Sequence, residues 1–85
     1  MNTFKLSNVS LADFRRFLLE IGCSRTATYK RTKGRGGHEK WNKEGLARPI
    51  VIQTHEDPVP EFIVKNALRD LGLTRDEFFN IMRKL

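Results

Sequence analysis

One cysteine in 85 residues, Cys23, leaves no route to an intramolecular disulfide. A secreted domain this small is ordinarily stapled by several. The chain also lacks any long apolar run. Its longest aliphatic stretch near the middle is Ile50-Val51-Ile52, far too short to span a bilayer. Met1-Asn2-Thr3-Phe4-Lys5 carries none of the apolar core of a signal peptide. These absences predict a cytoplasmic protein kept reduced, with no membrane partner. The carboxylates are scattered over predicted helices and caps instead of being clustered. A metal-dependent nuclease needs them together, so no metal and no cofactor are expected. Internal repeats, linkers and low-complexity tails are missing too, which predicts one domain over residues 1–85.

What the chain does have is bulk and positive charge. Six Phe, one Trp and one Tyr supply core material that a disordered chain would not carry. The net charge is +6, and between Arg25 and Arg48 eight basic residues face only Glu39 and Glu44. The remaining basic and acidic residues balance at eight each, so the whole excess sits in one central segment. A field concentrated in this way attracts polyanions and points to nucleic acid.

Local signals give the element order. Ser10 caps a first helix with Asp13 three residues on, and Val9 and Phe14 occupy staple positions. Leu11, Phe14, Phe17, Leu18 and Ile21 then recur at helical spacing, leaving Arg15, Arg16 and Glu20 for water, until Gly22 stops the helix. Residues 24–32, rich in β-branched and aromatic types, predict a strand. Gly34-Arg35-Gly36-Gly37 is a turn. His38 to Lys43 predicts a second strand, with Glu39 and Trp41 on one side and His38, Lys40 and Asn42 on the other. Arg48 to Thr54 predicts a third, central or well covered because it is aliphatic through Ile50-Val51-Ile52. Asp57-Pro58-Val59-Pro60-Glu61 opens a second helix, with Val64, Leu68 and Leu71 on one stripe, ended by Gly72. Thr74 and Glu77 form a capping box for a third, whose apolar face runs Phe78, Ile81, Met82, Leu85.

The expected fold is therefore α+β, in the order α-β-β-β-α-α. A three-stranded antiparallel sheet carries helices on one face and a basic segment on the other. That arrangement suits an RNA-binding module. Trp41 and Cys23 are expected in the core, and Tyr29 at its margin.

His38 follows a glycine turn amid Arg35, Lys40 and Lys43. Turn amides can form an anion nest, cations can stabilise a phosphorane, and an imidazole can move the proton of a 2′-hydroxyl or a leaving oxygen. Those are the parts for cutting RNA without metal. An ordinary surface histidine after a hairpin is the plain alternative.

Gly36-Gly37-His38-Glu39-Lys40-Trp41 resembles the glycine–serine–histidine motif of HicA-type toxins, in the variant where glutamate and an aromatic follow the histidine. Phe17-Leu18-Leu19-Glu20-Ile21-Gly22, Ile52-Gln53-Thr54-His55 and Ala67 to Phe78 are similar to other parts of that family, in the same order. The resemblance implies a double-stranded-RNA-binding-domain-like fold and metal-independent cleavage of mRNA by a toxin–antitoxin ribonuclease active in stress. It also implies a HicB-type antitoxin partner. It carries the catalytic role to His38, with Gly37 standing where the family has serine. Lys30, Arg31, Lys33, Arg35, Gly36, Gly37, Lys40 and Lys43 are the expected RNA contacts, and His55 a possible second proton donor. The rival expectations are a non-catalytic double-stranded-RNA binder of the same fold, and an interaction domain whose basic face docks an acidic protein.

Overall fold

A computed structural model describes residues 6–30 and 37–85, with side chains described throughout these except at 26–30 and 37. After a 3-10 turn over Leu6–Asn8 come α1 (Leu11–Glu20), β1 (Ser24–Lys30), β2 (Gly37–Asn42), β3 (Ile50–Gln53), α2 (Glu61–Leu71) and α3 (Arg75–Arg83). The protein is α+β, with one antiparallel sheet in the order β1-β2-β3. The expected glycine turn before Gly37 lies outside the described residues, as do the last two residues of the expected first strand.

The helix ends follow the local code closely. Ser10 accepts a hydrogen bond from the Asp13 amide at 3.1 Å. Thr74 and Glu77 complete a reciprocal capping box, with Glu77 Oε1 accepting from the Thr74 amide at 2.7 Å and Thr74 Oγ1 from the Glu77 amide at 3.1 Å. Gly72 ends α2 at φ 72°, in the left-handed region where a Cβ would be strained. Thr74→Ala should lower stability by about 1 kcal/mol in urea unfolding, because the Glu77 amide loses the hydroxyl that accepts from it.

The start of α1 has a second, distant cap. Asp57 Oδ1 accepts from the Leu11 amide at 3.0 Å, across 46 residues. The Val59 amide donates to the Val9 carbonyl at 2.8 Å, so the segments before α1 and before α2 are joined. Residues 57–60 thus precede α2 and do not form its first turn, as the sequence had suggested; Pro60 stands at its N-cap without a side-chain cap bond.

The core lies between the helices and one sheet face. Phe14, Phe17, Leu18, Ile52, Val59, Val64 and Phe78 are fully buried. Phe17 meets Phe78 edge to face at a centroid distance of 4.7 Å, which locks α1 to α3. The sheet contributes Trp41, Ile50 and Ile52, and Cys23 is buried beside them. Two expectations need correction. Among the described residues β3 is an edge strand, not a central one, and Val51 within it is 41% exposed. Leu85 also lies past the end of α3 and is 37% exposed.

Candidate functional site

Alternation along β2 decides what the sheet presents to each side. Glu39 and Trp41 point into the protein, and His38 is exposed on the opposite face. Directly opposed residues in antiparallel strands share a face. His38 lies between Tyr29 of β1 and Gln53 of β3, and Lys40 between Ala27 and Val51. Lys40 and Gln53 are half-buried, and His38, the register partner of Gln53, is exposed. His55, also exposed, follows Gln53 by two residues, so both histidines stand at the same end of the sheet.

Beneath His38, β2 is held by a charged network that the sequence reading missed. The carboxylate of Glu39, only 2% exposed, accepts from four donors. Arg15 of α1 binds it bidentately, Nε to Oε1 at 3.1 Å and Nη2 to Oε2 at 2.6 Å. Arg25 Nη1 reaches Oε2 at 3.3 Å, and the Trp41 indole reaches Oε1 at 3.2 Å. Burial raises the carboxyl's pKa, but the hydrogen bonds from Arg15 and Trp41 and the charges of Arg15 and Arg25 outweigh it, leaving Glu39 below its ordinary value of 4.5. Arg15, expected in water, is instead the clamp between α1 and the sheet. The available signal was Glu39 itself, a charge placed by alternation beside a core tryptophan.

The basic segment does not gather around His38 as a whole. Arg31, Lys33, Arg35 and Gly36 lie outside the described residues, and Lys30 is described only as the register partner of Gly37. Arg25 is engaged by Glu39, and Arg48 sits near Asp70 of α2. Lys43 follows the far end of β2, five residues from His38, or roughly 15 Å along a strand. Its Cε lies 3.7 Å from where a Cβ on Gly22 would stand. Lys43 therefore stands at the opposite end of β2 from His38. Of the three cations expected at the scissile phosphate, Lys40 is the one described on the His38 face.

Cys23 offers no nucleophile: burial pushes its thiol above the ordinary 9.0, against an opposing pull from Lys43. Among the described residues no group of three or more His, Cys, Asp or Glu converges as a metal site, and no helix is long and apolar enough to cross a membrane. The chain matches no family model, no curated protein and no solved structure.

Proposed function

We infer that this chain is an RNA-cleaving toxin of the HicA type, with His38 as general acid or base. The inference joins the Gly36-Gly37-His38-Glu39-Lys40-Trp41 resemblance to one observation. His38 is exposed on one face of β2, the middle strand of the described sheet, while Glu39 and Trp41 both turn inward on the other face and fix that strand. An imidazole on a rigid strand, open to a large substrate, meets the geometric requirement for proton transfer at a 2′-hydroxyl. Lys40 supplies positive charge on the same face. Lys30, Arg31 and Lys33 are assigned by the sequence to drawing in RNA, and Arg35, with Lys40 and Lys43, to holding the scissile phosphate. The reading extends to a double-stranded-RNA-binding-like fold, mRNA as substrate, a HicB-type antitoxin that covers the histidine, and action in the cytoplasm.

The direct test is expression of wild type and His38→Ala in a bacterium, following growth and total mRNA. Wild type should arrest growth and deplete mRNA, and the variant should do neither; equal arrest by both would remove the basis of the assignment. RNA affinity measured against salt gives a separate check. With roughly five phosphates engaged, the binding constant should fall by about the fourth power of salt concentration. A flat salt dependence would rule out electrostatic capture.

One observation favours a second reading. Among the described residues no side chain hydrogen-bonds the His38 imidazole to orient it, which suits a double-stranded-RNA binder without catalysis. Wild-type protein that binds RNA and leaves it intact would select that reading.

A further inference from the structure

β3 and the adjacent flank of α2 line a cleft of about 360 Å³ that borders the His38 face through Val51 and Gln53 but includes neither His38 nor Lys40. Its lining is mixed: Ile50, Val51, Phe62 and Ile63 give it an apolar part, and Arg48 and Arg69 stand among its polar residues. Two of these are unusual surface residues: Phe62 is 60% exposed and Val51 41%. An aromatic ring left in water beside an open strand has no role in the fold's own core.

The strand itself is open to pairing. β3 bonds to β2 along one side, and among the described residues no strand pairs with its other side. Sheet edges are normally blunted by a charge or proline within the strand, by a bulge, or by a covering element. Ile50-Val51-Ile52-Gln53 contains no charge and no proline. Its register partners on β2, His38 to Trp41, all lie on its inner side.

The rim of the cleft is cationic. Arg48 and Arg69 are 71% and 66% exposed, and both lean on one carboxylate, Asp70, at long distances of 3.9 and 3.8 Å. Two guanidiniums sharing one carboxylate leave a net positive rim that a further carboxylate would complete. A second copy of the chain is disfavoured as the occupant, since each copy carries +6. A nucleotide phosphate would find Arg48 and Arg69, but the open backbone edge of β3 beside the exposed Phe62 and Val51 matches a peptide strand better than a nucleotide.

We propose that this cleft receives an extended, acidic segment of a partner protein, which adds to the sheet as a fourth strand beside β3. Alternate side chains of the segment pack on Phe62 and Val51, its backbone pairs with β3, and a carboxylate reaches Arg48 and Arg69. This is strand addition, in which main-chain hydrogen bonds give affinity and side-chain pockets give selectivity. The site stands apart from the nuclease reading: it holds whether or not His38 cuts RNA.

The test uses the whole 85-residue chain and an acetylated, amidated decapeptide alternating valine with glutamate. Titration followed by amide NMR should perturb Ile50 to Gln53 and Phe62, and slow exchange of the β3 amides. N-methylation of the peptide at one set of alternate residues should abolish binding, and at the other set leave it intact, because a strand pairs through every second residue. Phe62→Ala should weaken binding about tenfold without unfolding the protein, since that ring is exposed. Arg69→Ala should weaken it less.

Several results would overturn the proposal: no perturbation up to about 1 mM peptide, perturbation centred on His38 and Lys40, indifference to N-methylation, or equal affinity when lysine replaces every glutamate. Concentration-dependent dimers that Phe62→Ala abolishes would make a second copy the occupant and overturn it as well. Loss of RNA cleavage in His38→Ala with peptide binding retained would keep the two sites separate.

Discussion

Purified His38→Ala is expected to cut RNA about 100- to 10,000-fold more slowly than wild type, the usual worth of a positioned general acid or base. Its fold should be untouched. His38 is exposed, and surface substitutions of that kind shift stability by about 0.5 kcal/mol or less. RNA affinity should stay close to wild type, because the attraction comes from lysines and arginines and not from the imidazole. Cleavage should also persist in chelator, since the proposed chemistry takes its charge stabilisation from cations of the chain. The decisive comparison is single-turnover cleavage against binding for the same pair of proteins. A parallel loss of both would turn His38 into a binding residue, and cleavage that survives the substitution would leave the chemistry without its base.

Glu39→Ala carries the second large effect, and it falls on stability. The substitution removes the acceptor for Arg15, Arg25 and Trp41 together. Arg15 and Arg25 are 36% and 52% exposed and can turn to water, so their release costs little. The buried Trp41 indole cannot, and a void opens beneath β2. The expected loss is about 2–4 kcal/mol, most of it from the unpaired donor and the lost packing. At roughly 4–8 °C per kcal/mol for a domain of this size, the melting temperature should drop by about 10 °C or more. A shift under about 3 °C would show that the network does not hold the strand.

The same carboxylate sets an acid limit. Glu39 in the folded protein lies below its ordinary 4.5, so the folded state favours its charged form. That stabilisation is complete above the ordinary carboxylate range and is lost as pH falls through the lower folded value. Wild type should therefore weaken in acid through this group, and Glu39→Ala should show a flatter decline over the same range. Urea midpoints measured between neutral and strongly acid pH would separate the two curves.

Much of the fold was legible because its signals are local. Ser10 with Asp13, Thr74 with Glu77, and Gly72 declare helix ends within four residues of themselves, and those ends formed as read. Strand alternation around Trp41 was equally readable, and with it the exposure of His38. What failed depended on distant partners. Asp57 caps α1 from 46 residues away, and no pattern near either residue announces it. Ile50-Val51-Ile52 reads as a central strand because an apolar run says that faces are covered; whether an edge is also paired depends on strand order. Charges close in sequence are also drawn apart when the chain runs as antiparallel strands: Lys43, Arg25 and Arg48 end beside Gly22, Glu39 and Asp70.

The bond between Val9 and Val59, with Asp57 on Leu11, makes a short circuit in the chain. Everything between these points, the whole sheet included, hangs as a side loop whose two feet are tied. A pull on the two ends of the protein would load that tie, α2 and α3 along the chain, and would reach α1 and the strands only through packing such as Phe17 on Phe78 and the Arg15 clamp on Glu39.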